Sequence, residues 1–376
     1  VISLYKKLLP QSTIGIIGGG QLGKFMAIAA KNMGYRVAVL DPTPNSPCGQ
    51  VSDIEITARY DDLDAIKELA KVSDCITYEF ENIDYEALTW LEQNAYLPQG
   101  SRLLAITQDR QTEKEAVANA GVKVAPYEVV ESEDDFYQAV SNIGIPSVLK
   151  TCRGGYDGKG QFVLKQEEDI EEAKALLKNG RCVLEKWIAF DKEISVIVTR
   201  SVTGEVSTLP VAENIHVNNI LHESIVPARI SDSLKEQAEE TAKTLAAKLG
   251  LIGTLAVEMF VANDEIYINE LAPRPHNSGH YSLNLCETSQ FEQHIRAICG
   301  LPLGNTKLIH QGIMVNILGQ HLEPVLKNEE LLKKGKLFLY GKAGAKINRK
   351  MGHITFFSDE IEELLTYIES TQIWNV

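Results

Sequence analysis

Lys150-Thr151-Cys152-Arg153-Gly154-Gly155-Tyr156-Asp157-Gly158-Lys159-Gly160-Gln161 is the stretch on which the reading of this 376-residue sequence turns. Strand-like runs over 146–151 and 161–165 flank it, which makes it the tip of a long hairpin. Its four glycines uncover backbone N–H groups and permit positive φ, as a loop closing over phosphate oxygens requires. Lys150, Arg153 and Lys159 supply cations to neutralise such an anion. A mobile surface hairpin with solvated charges is the competing reading, but it leaves Tyr156 and Asp157 without a role.

Working outward, helices over 133–143 and 167–178 and a strand over 181–187 complete a compact α+β unit, preceded by a linker over 121–126. Glu185-Lys186-Trp187-Ile188 closes that strand, Glu193 follows, and strand-like runs enclosing His216 continue to Pro227. A long amphipathic helix is expected over 231–249, with Ser231 as its N-cap and Gly250 past its end. Strands over 253–261 and 265–269 then carry Glu258 and the pair Asn269-Glu270. A hairpin through Asn263-Asp264 sets Glu258 and Glu270 on neighbouring strands within reach of one cation, and their hard oxygens suit magnesium bridging phosphates.

Arg274-Pro275-His276-Asn277-Ser278-Gly279-His280 follows directly. Its HxxxH spacing raises zinc, but Pro275 and Gly279 argue against the helix that would turn both rings to one face, so a polar substrate loop is the stronger reading. After a helix over 290–299, a small β-rich unit from about residue 309 holds Lys342, Arg349 and Lys350 beside glycine turns, either to grip a phosphate or as solvated turn residues.

Towards the N-terminus the pattern changes. A strand over 13–18, a glycine turn, a helix over 21–33 and a strand over 35–40 ending at Asp41 form the layout of a dinucleotide-binding fold, and Gly18, Gly20 and Gly23 fit GxGxxG. Such a turn can hold a phosphate on its amides, and a nicotinamide cofactor is one reading of it. Helices over 61–71 and 84–94 alternate with a strand over 74–78, which continues the α/β layout. Glu79-Phe80-Glu81-Asn82 lies just past that strand, where side chains of an open parallel sheet face the ligand crevice; helix-capping acids are the alternative. Asp109 and Arg110 open a further helix to about residue 120.

Length suggests two or three domains at roughly 150 residues each. No run approaches the ~18 apolar residues of a membrane span, and no signal peptide is expected. A net charge of −14 argues against nucleic acid or an anionic membrane as partner, while leaving room for a small anion held by local cations. The six cysteines are scattered without a CxxC pair, which suits a reduced cytoplasm and gives no metal or redox motif.

Lys150 with its glycine loop, Glu185 to Ile188, Glu193, and Glu258 with Asn269-Glu270 together resemble the ATP-grasp superfamily. Gly19-Gly20-Gln21-Leu22-Gly23, Thr77 to Asn82, Gly154 to Gly160, Arg274 to His280 and Lys350-Met351-Gly352-His353 narrow the resemblance to the 5-(carboxyamino)imidazole ribonucleotide synthase family. These blocks cover nearly the whole chain. The resemblance implies an α/β and α+β protein: a Rossmann-like pre-ATP-grasp domain over 1–110 that binds substrate, an ATP-grasp domain over 111–308 with a lid at about 122–188, and a small C-terminal β-rich domain over 309–376. It also implies a cytoplasmic homodimer.

The implied reaction joins ATP, bicarbonate and 5-aminoimidazole ribonucleotide into the carbamate through carboxyphosphate, with release of ADP and phosphate. The first glycine turn then faces the ribonucleotide instead of NAD. By the same resemblance Arg110, Lys150, His216 and the loop Gly155, Tyr156, Asp157, Gly158, Lys159, Gly160 and Gln161 contact ATP. Glu185, Lys186, Trp187 and Ile188 bind adenine through their backbone, and Glu193 takes the ribose. Glu258 and Glu270, with Asn269 beside them, hold magnesium, or manganese in its place. Gln21, Leu22, Glu79, Glu81, Arg274, His276, Asn277, Lys342, Arg349 and Lys350 surround the ribonucleotide. Tyr156, Asp157 and Lys159 are the catalytic candidates, with Asp157 orienting or deprotonating the amine or else ordering the loop. Another ATP-grasp ligase, such as a formate-dependent glycinamide ribonucleotide transformylase, and an NAD-binding dehydrogenase are the alternatives.

Overall fold

The computed structural model describes residues 6–155 and 160–375. Its first sheet is parallel, in the order β3-β2-β1-β4, from β1 (Thr13–Ile17), β2 (Arg36–Asp41), β3 (Ile54–Thr57) and β4 (Cys75–Tyr78). β1 and β4 are almost wholly buried, as strands covered on both faces must be. The crossovers carry α1 (Gln21–Asn32), α2 (Leu63–Val72) and α3 (Tyr85–Asn94). Asp62 and Asp84 cap α2 and α3, so the acid that starts α3 is Asp84, and Glu79 and Glu81 are left for other work.

Two helices, α4 (Arg102–Thr107) and α5 (Arg110–Asn119), lead to the lid. The lid is an antiparallel sheet in the order β5-β8-β6-β7, from β5 (Tyr127–Val130), β6 (Ser147–Thr151), β7 (Gln161–Leu164) and β8 (Cys182–Lys186). α6 (Glu133–Ile143) covers it with a Ser132–Asp135 capping box. The helix expected over 167–178 divides into α7 (Asp169–Ala173) and a tighter 3-10 segment, Lys174–Asn179, the form in which a short helix commonly ends. The linker expected over 121–126 docks, with Val124 bridging to Ile268.

The central sheet has nine strands. They are β9 (Lys192–Arg200), β10 (Val206–Thr208), β11 (Ala212–Val217), β12 (Ile220–Val226), β13 (Gly253–Ala262), β14 (Glu265–Ala272), β15 (Gly312–Leu318), β16 (Gly335–Leu339) and β17 (Lys350–Phe357). The order is β14-β13-β9-β11-β12-β15-β17-β16, with β10 beside β9. The C-terminal strands therefore extend the central sheet instead of forming a sheet of their own. β15 shows why: all seven of its residues are buried, so it needs cover on both faces and a neighbour on each edge.

The long helix α8 (Asp232–Lys248) lays Leu234, Ala238, Ala242 and Leu245 on Val196, Val198, Leu255 and Val257 of this sheet. Helix Gln290–Cys299 reaches the other way. Its Phe291, Ile295 and Ile298 complete the core of the N-terminal sheet with Ile14, Ile16, Phe25 and Met26, which fixes that sheet against the rest of the molecule. Among the described residues no helix is long and apolar enough to cross a membrane.

Candidate active site

A cavity of about 1040 Å³ lies where the lid, the central sheet and the carboxyl ends of the N-terminal strands meet. Strand alternation builds its lid side. Val148, Lys150, Gln161, Val163 and Glu185 share one face of β6, β7 and β8 and line the cavity, while Leu149, Leu164 and Leu184 on the opposite face form the lid core. Lys150 Nζ donates to Glu185 Oε2 at 3.1 Å, and Lys114 Nζ lies 3.0 Å from Glu185 Oε1. Burial alone would raise the Glu185 carboxyl, but Lys150 and Lys114 outweigh it and hold it down at about 2. Burial instead pulls the Lys150 ammonium below the ordinary lysine value, since its one carboxylate is shared with Lys114 and Arg110 stands nearby. Gly155 and the segment Lys186, Trp187 and Ile188 continue this wall. Gly160 closes the hairpin behind it at φ +71°, where a Cβ would sit 2.5 Å from Thr151 Oγ1.

The floor comes from β9, β11, β13 and β14. Glu193 and His216 line it and hydrogen-bond to each other. Burial works against the His216 cation, yet Glu193 outweighs it and raises the imidazole above its usual value. Glu258 and Glu270 are paired directly across β13 and β14, but the next pair is Met259 with Ile268, so Asn269 is the extra residue of a bulge. Strict alternation would turn Asn269 away from Glu270; with the bulge, both line the cavity. Burial and the facing Glu270 push Glu258 up to about 7. Arg110 NH1 stands 3.8 Å from Glu270 Oε2.

The far end meets the N-terminal domain. Gly20 and Gly23 donate their N–H groups to the Glu79 carboxylate, and Gly19 donates to Asp41 Oδ2 at 2.7 Å. Two of the chain's own carboxylates thus occupy the glycine turn at the start of α1, where a dinucleotide pyrophosphate would sit, and the nicotinamide reading fails. Gln21 and Leu22, just past the turn, face the cavity with Glu79. Arg274 pairs with Glu81 at 2.9 Å, and Asn277 is held by a reciprocal amide contact with Asn316. His276 Nδ1 accepts from Ser278 N at 3.2 Å, which leaves the ring proton on Nε2, 3.6 Å from Glu258 Oε1. His280, by contrast, is fully buried and stacked on His353 at 4.8 Å. The two rings of the HxxxH spacing therefore face different surroundings, and among the described residues no group of three or more His, Cys, Asp or Glu could hold a metal.

Of the sequence-derived candidates, Arg110, Lys150, Gly155, Gln161, the 185–188 segment, Glu193, His216, Glu258, Asn269, Glu270, Gln21, Leu22, Glu79, Glu81, Arg274, His276, Asn277 and Lys350 line this cavity. Gly160, Lys342 and Arg349 do not line it. Lys342 donates to Lys350 O at 2.9 Å, directly behind that cavity residue, and burial with Arg349 nearby lowers its ammonium to about 8. Arg349 closes its own turn by donating to Gly344 O at 3.0 Å. Arg153, counted among the loop cations, turns away to Asp109 at 3.2 Å with its side chain 71% exposed. Tyr156, Asp157, Gly158 and Lys159 lie outside the described residues.

Comparison with known proteins gives the arrangement its place. The chain is 60% identical over 368 residues to the N5-carboxyaminoimidazole ribonucleotide synthase of Bacillus subtilis, covering 98% of this chain and 96% of that protein. This chain belongs to the N5-carboxyaminoimidazole ribonucleotide synthase family. The synthase of Staphylococcus aureus strain N315 is 43% identical over 96% of each chain. Family models for a ribonucleotide synthetase pre-ATP-grasp domain, an ATP-grasp domain and a phosphoribosylaminoimidazole carboxylase C-terminal domain match residues 11–108, 115–291 and 312–366. A crystal structure of a family member in complex with ADP superposes with a TM-score of 0.97 at 61% identity, covering 98% of both chains. The synthase of Aspergillus clavatus in complex with ADP and 5-aminoimidazole ribonucleotide gives 0.90 at 30% identity, covering 98% of this chain and all of that one. The chain is an ATP-grasp ligase of the synthase family, with the three-part fold its sequence resembles.

Sequence reading missed Lys114 and the stacked pair Phe190 and Phe260, whose rings lie 4.6 Å apart at the cavity wall. Lys114 had a signal, since it follows Arg110 by four positions and shares its helix face. The aromatic pair had none, because its partners come from distant segments.

Proposed function

We propose that this synthase uses ATP and bicarbonate to carboxylate the exocyclic amine of 5-aminoimidazole ribonucleotide, giving N5-carboxyaminoimidazole ribonucleotide, ADP and phosphate. One observation carries the proposal: Lys150 of the lid, the facing acids Glu258 and Glu270, and the ribonucleotide-side groups Glu79 and Lys350 border a single cavity. Bicarbonate is a weak electrophile. Its oxygen attacks the γ-phosphorus of ATP, ADP leaves, and the resulting carboxyphosphate presents an activated carbon to the amine, which attacks, loses a proton and expels phosphate.

The residues divide this work. Lys150, Arg110, His216 and the 155–161 loop hold the triphosphate, the 185–188 backbone holds adenine, and Glu193 takes the ribose hydroxyls. Glu258 and Glu270, with Asn269 turned the same way by the bulge, fit a magnesium ion, or manganese, which offsets negative charge on the transferring phosphoryl group when bound. Lys150 pairs with Glu185 and Arg110 with Glu270; a triphosphate would take up the two cations and a metal would be held by Glu270, so that no buried charge would be left alone. Gln21, Leu22, Glu79, Glu81, Arg274, His276 and Asn277 frame the ribonucleotide, with Lys342, Arg349 and Lys350 towards its phosphate. Tyr156, Asp157 and Lys159 in the hairpin tip shield the intermediate from water, and Asp157 orients the amine. Domain limits of 1–110, 111–308 and 309–376, a homodimer and a cytoplasmic setting complete the proposal.

The test is ADP release measured with bicarbonate and aminoimidazole ribonucleotide added singly and together. Full rate only with both is expected; formate replacing bicarbonate overturns the assignment.

A further inference from the structure

Three buried charges meet at the inner edge of the lid: Lys114 at 3% exposure, Glu185 at 5% and Lys150 at 8%. The single carboxylate of Glu185 serves both ammoniums, one on each oxygen. Their settings differ. Lys150 and Glu185 line the cavity, whereas Lys114 stands behind them on α5, its Nζ 5.6 Å from the ring centroid of Tyr127, which pairs directly with Glu185 across β5 and β8. The helix under Lys114 is pinned at both sides. Arg110 N donates to Cys152 O at 3.0 Å on the lid, and Glu113 Oε1 accepts from Leu271 N at 2.5 Å on the floor. Lys114 is thus the fixed partner of Glu185, and Lys150 the one that faces open space.

We propose that Lys114 is a positioning residue for the synthase reaction: it keeps Glu185 neutralised, so that Lys150 can leave that carboxylate for the triphosphate of ATP. The inference rests on the reading that Lys150 meets the triphosphate. A buried carboxylate stripped of its only counter-ion is strongly disfavoured. With Lys114 in place, Lys150 trades one anion for another. Without it, Lys150 is the one ion-pair partner left to Glu185 among the described residues, and each phosphate contact must be won against that bond.

The experiment compares Mg-ATP affinity by isothermal titration calorimetry in wild type, Lys114→Met, Glu185→Gln, Lys114→Met/Glu185→Gln and Lys150→Met. Lys114→Met should bind ATP roughly 100-fold more weakly. The double variant should return to the affinity of Glu185→Gln, because the charge that traps Lys150 is gone; a general loss of packing would not be rescued this way. An unaffected Lys114→Met, or a double variant as weak as Lys114→Met, overturns the inference. Should Lys114→Met fail to fold, Glu185→Gln and the double variant still decide: equal affinities support the role, and a further tenfold loss in the double overturns it. Lys150→Met reports on the underlying reading. If it binds ATP like wild type, the role of Lys150 falls and this inference with it; if it is weak while Lys114→Met is normal, only the inference falls.

Discussion

Glu270→Gln separates chemistry from stability in this site. Glu258 is pushed from 4.5 up to about 7, first by burial and then by Glu270. Both causes work against ionising Glu258, and Glu270 is the smaller of the two. Glu113, raised to about 8, also has Glu270 as its second cause after burial. The substitution relieves both repulsions but also takes the 3.8 Å carboxylate contact from the mostly buried Arg110, so gain and loss oppose each other. Folding stability should therefore change by no more than about 1 kcal/mol, a shift in Tm of about 1–2 degrees for a chain of this length. Turnover should not survive, because one of two carboxylates fitted to the metal is gone. A loss of about 3–4 kcal/mol in transition-state stabilisation lowers kcat by roughly 100- to 1000-fold. Thermal melting by fluorimetry, beside ADP release at saturating bicarbonate and ribonucleotide, measures both. Wild-type turnover at millimolar magnesium would refute the metal role, and a collapse of Tm would show that Glu270 serves the fold.

Two further outcomes test the other ends of the cavity. Burial lowers Lys342 to about 8, so its positive charge is present below that pH and lost above it. The KM for aminoimidazole ribonucleotide should climb about fivefold between pH 8 and 9 with kcat little changed, and Lys342→Met should be weak and flat across that range; a steep rise persisting in the variant would discard the phosphate role. Asp157→Asn should leave bicarbonate-dependent ADP release largely intact while carbamate formation drops at least about 100-fold, so that ATP is spent without product. Loss confined to ATP affinity would reassign Asp157 to loop ordering.

The sequence by itself determined the hairpin, the three-part order and most of the cavity's residues, because glycine spacing, strand alternation and acids at the ends of apolar strands are local signals. It also set Glu258 and Glu270 on neighbouring strands, since a two-residue turn at Asn263-Asp264 closes a hairpin between them; the register of that turn alone pairs Glu258 with Asn269, and the bulge moves the pairing to Glu270. Tertiary structure decided the rest. The GxGxxG turn reads as a phosphate site until Glu79, some sixty residues along, fills it, as carboxylate and phosphate compete for the same amides. Arg153 sits beside Lys150 in the chain yet turns to Asp109, and Lys114 lies remote in sequence yet shares a carboxylate with Lys150. The bulge that brings Asn269 round to Glu270 is likewise absent from any local pattern. Charge partners are chosen by which groups are buried together, and burial is a property of the packed molecule.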